Sequence, residues 1–545
     1  MEDFSGGPTW SAQQTDIFDW FREGSGNLAV RARAGTGKTT TIVQAVFYAN
    51  DGKILLAAFN KRIQEELNRR LRTRAASAKT LHALGFMFLK RNWPEAEVDN
   101  TGSRAEGLVR QSIYNQWEQF FPKVPLTVPI DEVEFNESVV RLGAKLLTTS
   151  RDIAPFASTE DTIVDVMFDQ DLLPEAYLES QGWTPPVFAR ITLKAMELAL
   201  VRSSRIDYAD MVYLPLRLDW ARPMFDLVCI DEAQDMNAGQ LTLATRVVKP
   251  RGRVCIIGDD RQAIYGFRGA DSNGFDRLKN ELNAKELGLT ITYRCPKSVV
   301  EYAAKLVPDI QARPDAPEGN ITSLPAADLH KHVKPGDFVL SRSNAALTKA
   351  ALALIRQNVR AKIVGRDIGM RLMNIAKRMK AYDVNTFYDK LGQWARREID
   401  RAKRANKKGR IQLICDQADT LRALLFGITD LNVLYGRIEE LFGDPNAAVV
   451  QCSTVHKAKG LEADRVFILQ DTLYPGKWGK DKQEEANIEY VAVTRAKQSL
   501  YWVNGFNPPK NFRSSAPQPW EDKRWKDAPW DSEEWEDDLD RESKR

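Results

Sequence analysis

The chain has 545 residues, 43% hydrophobic and 28% charged, the composition of a soluble globular protein and too long for a small binding module. No apolar run approaches the roughly 18 residues of a membrane span, and the opening MEDFSGGPTW lacks the basic-then-apolar order of a secretory signal. The net charge of +4 is uneven: residues 520–545 carry eleven acidic and six basic side chains, so a basic body of about +9 precedes an acidic tail.

In chain order, short apolar runs stand ahead of polar or Gly-rich turns and helical stretches: NLAVRA, KILLAAF, FDLVCI, RVCIIG, DFVLSR and DRVFIL. This alternation predicts an α/β protein with parallel sheets covered by helices. Ligands of such sheets sit at the carboxyl ends of the strands. The first run leads into ARAGTGKTT, a strand-to-helix turn with the phosphate-loop pattern. Ala34, Gly35, Thr36, Gly37, Lys38, Thr39 and Thr40 form the expected nucleotide-binding stretch, with backbone N–H groups surrounding phosphates at a helix N-terminus. Lys38 would reach the β and γ phosphates, and the Thr39 hydroxyl would bind Mg²⁺.

From about Lys90 to Ser203 the strand pattern gives way to helical stretches rich in aromatics and charge, read as a helical insert. FDLVCIDEAQD then ends a strand in adjacent carboxylates. Asp231 suits Mg²⁺ and Glu232 suits water activation, the division of labour that phosphoryl transfer needs. A second lapse, about Arg366 to Ala447, contains the basic RREIDRAKRANKKGR and reads as a second, short helical insert. Beyond Asn507 the chain is Pro-rich, and Trp520, Trp525, Trp530 and Trp535 recur in an acidic background expected to be disordered. Cys229, Cys255, Cys295, Cys415 and Cys452 show no metal-ligand spacing, so reduced thiols in a cytoplasm are expected.

The segments AGTGKT, AFNK, TLHALG, DEAQD, GDDRQAIYGFRGAD, TYRCP, TVHKAKGLE and EYVAVTRAK follow one another in a single line. In this the chain resembles the UvrD/Rep family of superfamily 1 DNA helicases. The resemblance extends from Gln14 to Arg495 and leaves both inserts uncovered. It implies two RecA-like domains, the first from 1–90 and 204–280 with its insert at 91–203. The second would take 281–365 and 448–507, with its insert at 366–447 and a tail at 508–545.

It also implies roles for single residues. Gln14 resembles the adenine-reading glutamine and Tyr293 the residue stacking on the base, roles suited to a carboxamide and an aromatic face. Gln262 resembles the γ-phosphate sensor. Arg294 and Arg495 resemble two arginines that the second domain offers to the γ-phosphate. Glu462, in the KGLE that begins with Lys459 and Gly460, resembles a ribose contact. In this reading Lys38, Thr39, Asp231, Glu232 and Gln262 come from one side of the nucleotide, and Tyr293, Arg294, Glu462 and Arg495 from the other.

Single-stranded DNA would be held by Phe59, Asn60 and Lys61, by Ser343 and Asn344, and by His82, Thr454 and His456. Tyr265, Phe267 and Arg268 would add sequence-tolerant stacking and a charge next to the sensor. The implied activity is ATP- and Mg²⁺-dependent 3′ to 5′ movement on single strands and at single/double-strand junctions, with no membrane involved. Two departures stand out: Arg33 in the phosphate loop, where small residues are common in the family, and the shortness of the second insert. The alternatives are a translocase that displaces proteins or serves a partner without processive unwinding, and a nucleic-acid-binding scaffold whose ATPase has lapsed. The tryptophan-bearing acidic tail suits docking to a basic, apolar groove on a protein partner.

Overall fold

The computed structural model describes residues 10–506 except 59, 72, 74, 121–129, 131–132, 134, 171, 175, 265–273, 405–407, 444–447 and 474–481. Phe59, Tyr265, Phe267, Arg268 and the tail from 507 lie outside the described residues. The chain divides into two compact units, one of residues 1–294 and 304–315, the other of 295–303 and 316–545.

The first unit is built on six parallel strands, in the edge-to-edge order Ala76–Thr80, Ile54–Ala58, Phe225–Ile230, Val248–Gly258, Leu28–Ala32 and Lys285–Leu289. The apolar runs are continuous because both faces are covered. Leu28, Val30, Leu56, Leu227 and Ile257 pack on one side, with Ile17 and Phe21 of the helix Ala12–Glu23 and Ile42 of Lys38–Val46. Ala29, Leu55, Val228, Ile230 and Ile256 face the other, where Leu84, Val212 and Leu243 come from the helices Leu81–Asn92, Tyr208–Arg217 and Ala238–Arg246. Strand alternation therefore sorts the same sequence runs into two separate cores.

The first insert packs around a further core, in which Val109, Leu146, Ile163 and Phe188 come from the helices Ser103–Asn115, Glu137–Ile153, Glu160–Asp169 and Pro185–Ala199, and Leu89 and Tyr213 from the helices Leu81–Asn92 and Tyr208–Arg217 that also cover the sheet. The short strands Glu97–Val98 and Arg205–Ile206 pair in parallel across its neck. Arg151, fully buried, ties the helix Glu137–Ile153 to the start of the helix Tyr208–Arg217: it donates to Asp207 at 2.6 Å and to Asp210 at 2.7 Å, and Arg104 also donates to Asp210 at 2.7 Å. Asp207 caps the helix Tyr208–Arg217, so this buried network fixes where Tyr208 stands.

The strand Lys285–Leu289 corrects the expected boundary at 281. It pairs with Leu28–Ala32 throughout, and Ile291–Thr292 pairs with Gln311–Ala312, so residues 281–294 belong to the first unit. The charged start KELGL hid this edge strand, of which only Leu289 is buried.

The second unit has seven parallel strands in the order Asn320–Pro325, Ala496–Asn504, Ala463–Leu469, Phe338–Ser341, Val450–Thr454, Ala361–Val364 and Phe442–Gly443. The helices Arg366–Arg378, Val384–Arg404, Lys408–Leu425 and Leu431–Leu441 form the second insert. Its Leu372, Phe387, Leu421 and Leu434 share one continuous core with Leu347, Ile363, Cys452 and Phe467 on and around the sheet. All five cysteines are free thiols. Among the described residues no helix is long and apolar enough to cross a membrane.

Candidate functional site: strand-end nucleotide and nucleic-acid residues

In the first unit the phosphate loop, the carboxylate pair and the GDDRQ turn leave the carboxyl ends of three neighbouring strands. Gly35 and Gly37 adopt φ of +73° and +75°, in the left-handed region that a side chain disfavours. A Cβ on Gly35 would lie 2.5 Å from Thr292 Oγ1 and 2.6 Å from Arg294 Cβ, so only glycine lets these segments meet.

Lys38, on the first turn of the following helix, donates from Nζ to Glu232 Oε1 at 2.7 Å. Burial opposes its charge, but Glu232, Asp231 and Asp259 outweigh that and raise its pKa, so the ammonium persists. Burial, with repulsion from Glu232, pushes Asp231 up to about 6. Glu232 holds a left-handed φ of +52°, unfavourable for a residue with a Cβ, and its N–H donates to Asp231 Oδ1 at 2.9 Å.

A hydrogen-bonded path links these groups to the GDDRQ turn. Gln234 donates from Nε2 to Glu232 Oε2 at 2.6 Å and accepts at Oε1 from the Asp259 N–H at 3.2 Å. Asp259 Oδ2 in turn accepts from Gln262 Nε2 at 2.7 Å. Gly258 lets the path through, because a Cβ there would lie 2.5 Å from Gln234 Oε1. Gln234 lies inside DEAQD, but its partner Asp259 is 25 residues away, so the sequence gives no local sign of its place in the path.

Gln14 and Tyr293 stand together beside this loop. The Tyr293 hydroxyl donates to Gln14 Oε1 at 3.3 Å, its backbone N–H donates to Gly35 O at 2.8 Å, and Gln14 Nε2 donates to Thr41 Oγ1 at 2.9 Å. Tyr293 leaves 40% of its surface exposed, enough to offer a ring face. Tyr293 and Arg294 thus lie in the same unit as Lys38, which corrects their assignment to the opposite side. The cause is the edge strand Lys285–Leu289, which carries them to the phosphate loop.

Arg495 is in the second unit, 1% exposed, donating to Val491 O at 2.8 Å, Leu461 O at 3.1 Å and Thr494 Oγ1 at 3.1 Å. Glu462 is exposed and 3.9 Å from Lys497, and Gly460 turns with φ +81°.

Among the expected DNA contacts, Asn60 caps the helix Lys61–Arg70 through Ile63 N–H at 2.9 Å, and Lys61 is exposed. His82 faces Tyr208 edge to face with ring centroids 6.3 Å apart, and burial lowers its pKa, leaving a neutral imidazole at neutral pH. Tyr208 is 57% exposed, and one tyrosine after an aspartate carries no signal in the sequence.

In the second unit, Ser343 caps the helix Asn344–Arg356. Asp416, from the insert helix Lys408–Leu425, accepts from Asn344 Nδ2 at 2.9 Å, Asn344 N–H at 3.2 Å and Ala345 N–H at 2.7 Å. Thr454 is buried ahead of the short helix Val455–Ala458, which carries a half-buried His456. Among the described residues no group of three or more His, Cys, Asp or Glu side chains is placed to hold a metal. Mg²⁺ sites in nucleotide hydrolases ordinarily use one or two carboxylates plus phosphates, and Asp231 is a carboxylate at the end of the strand Phe225–Ile230, next to the Glu232 that meets Lys38.

Residues 12–283 match the family model of the UvrD/REP helicase N-terminal domain, and residues 372–504 match that of the UvrD-like helicase C-terminal domain. The chain is 24% identical over 505 residues to the F-box DNA helicase protein 1 of Schizosaccharomyces pombe, covering 87% of this chain and 55% of that protein. It is 22% identical over 307 residues to the ATP-dependent DNA helicase PcrA of Staphylococcus epidermidis, covering 52% and 38%. A probable DNA helicase of Mycoplasma pneumoniae is 23% identical over 514 residues, 88% of this chain and 81% of that protein. The chain thus spans about half, or less, of the first two relatives. The two family models fall on the two parallel-sheet units and include the phosphate loop and the DEAQD strand end; the chain belongs to the UvrD/Rep-like family of superfamily 1 helicases.

Proposed function

We propose that this chain is a DNA-dependent ATPase that moves on single-stranded DNA, 3′ to 5′, and couples hydrolysis to strand separation. The reading is carried by the 2.7 Å contact of Lys38 with Glu232 beside Asp231, at the mouth of a glycine-shaped phosphate loop. Lys38 and the loop N–H groups bind the phosphates, Gln14 and Tyr293 the base, and Glu232 orients the attacking water. Thr39 and Asp231 would hold Mg²⁺, whose chemistry there is neutralisation of phosphate charge. Gln262, Arg294, Gly460, Glu462 and Arg495 take part in the nucleotide cycle. Asn60, Lys61, His82, Ser343, Asn344, Thr454 and His456 grip the strand, together with Phe59, Tyr265, Phe267 and Arg268. The acidic tail serves a protein partner.

Lys38→Ala is expected to abolish DNA-stimulated ATP hydrolysis and to leave single-strand binding intact; unchanged turnover overturns the reading. Unwinding of 3′-tailed, 5′-tailed and blunt duplexes tests polarity and loading. The short second insert supports a second reading, displacement of bound proteins without processive unwinding. Streptavidin displacement without unwinding of a forked duplex would select it.

A further inference from the structure

Arg33 interrupts the phosphate loop with a long charged side chain that points inward. It is 5% exposed, and its backbone N–H donates to Leu289 O at 2.8 Å, fixing the loop to the edge strand. Its guanidinium holds three carboxylates at once. Nη1 donates to Asp259 Oδ1 at 3.0 Å and to Asp260 Oδ1 at 2.8 Å, and Nε donates to Asp309 at 2.8 Å and 2.9 Å. Asp260 is shared with Arg31, whose Nη1 lies 2.9 Å away.

Such a buried arginine carries a large desolvation penalty unless every partner is well placed, so Asp259, itself fully buried, has little freedom while Arg33 is there. Asp259 uses its other oxygen to hold the Gln262 carboxamide at 2.7 Å. One side chain therefore sets the phosphate loop, the sensor turn and, through Asp309, the segment 304–315 that returns to the first unit from the second.

We propose that Arg33 is a positioning residue of the ATPase cycle: through Asp259 it aims the Gln262 carboxamide, so that the loop holding the phosphates and the amide facing the γ-phosphate stay in register. The inference rests on the proposed ATPase reading. It predicts a selective defect, because ADP lacks the phosphate that Gln262 addresses.

The test is ATP turnover at saturating single-stranded oligonucleotide, fluorescent-ADP binding and thermal melting, on Arg33→Ala, Arg33→Lys and Asp259→Asn. Arg33→Ala should lower kcat about 10- to 100-fold while ADP affinity stays within about threefold, the pattern of a misplaced catalytic group. Asp259→Asn should reproduce the loss. The double variant should lose no more than either single one, since both act through one path. Arg33→Lys should recover part of the rate, because an ammonium keeps the charge without the fork that spans three carboxylates.

A folded Arg33→Ala protein with kcat within about twofold of the parent overturns the proposal, and so does a parallel loss of ADP affinity, which marks a loop that has lost its shape. If Arg33→Ala does not fold, Arg33→Lys and Asp259→Asn decide by the same two readouts. Lys38→Ala separates this inference from the reading beneath it. Full turnover in Lys38→Ala sinks the ATPase reading, whereas a dead Lys38→Ala beside a normal Arg33→Ala sinks only the role of Arg33.

Discussion

Lys38 and Glu232 meet at 2.7 Å, so the ammonium proposed for the phosphates is also held by the carboxylate proposed for the water. On the proposed reading a triphosphate that takes Lys38 would compete with Glu232 and release it to orient water. Glu232→Gln should therefore lower turnover by about 100-fold or more. Nucleotide affinity should hold or rise, because the competing charge is gone. Steady-state rates beside a nucleotide titration check both halves.

Asp416 reaches from the insert to the N-terminus of the helix Asn344–Arg356 and orients Asn344. Its loss should free that asparagine. Asp416→Ala is expected to raise the concentration of single-stranded DNA needed for half-maximal ATPase about 3- to 10-fold, equivalent to losing one or two modest hydrogen bonds. The rate at saturating DNA should change little.

The exposed ring of Tyr208 beside a neutral His82 offers a stacking surface that needs no particular base. Tyr208→Ala should weaken single-strand binding by about 1 to 3 kcal/mol, the usual worth of one stacked base. Tyr208→Phe should bind as the parent does. Fluorescence anisotropy with homopolymeric strands measures both.

Asp152 follows the buried Arg151, and burial, together with the Asp207 charge, pushes its pKa up to about 6. Its folded value lies above the unfolded value of 3.8, so its contribution to stability is full below 3.8 and is lost as pH rises through about 6. Asp152→Asn should therefore stabilise the protein at pH 8 by about 1 to 3 kcal/mol. The gain should vanish near pH 3.8. Urea unfolding at the two pH values is the measurement.

Chemistry that follows a strand directly was legible in the sequence, because phosphate loop and carboxylate pair are local patterns. Lys38, Asp231 and Glu232 needed no knowledge of distant partners, and each lies at the strand end where the apolar runs placed it. Arg33 could be seen as unusual but not understood, since its partners Asp259 and Asp309 are 226 and 276 residues away. Asp416 was hidden for the same reason, inside an insert helix whose partners Asn344 and Ala345 lie 72 and 71 residues away. Tyr293 and Arg294 fall in the first unit and not, as the resemblance implies, in the second, because Lys285–Leu289 is a half-exposed edge strand. Such a strand lacks the continuous apolar run that betrays a central one.

The chain passes between its two units at 294/295, again at 303/304 and a third time at 315/316. No single cut can therefore yield both units whole. A fragment ending at Arg294 leaves Asp309 on the other piece and strips Arg33 of one carboxylate; a fragment ending at Asp315 takes Cys295–Ala303 away from the second unit. The two units are woven into each other's sequence, and any dissection or transplantation of one has to carry a splint from the other.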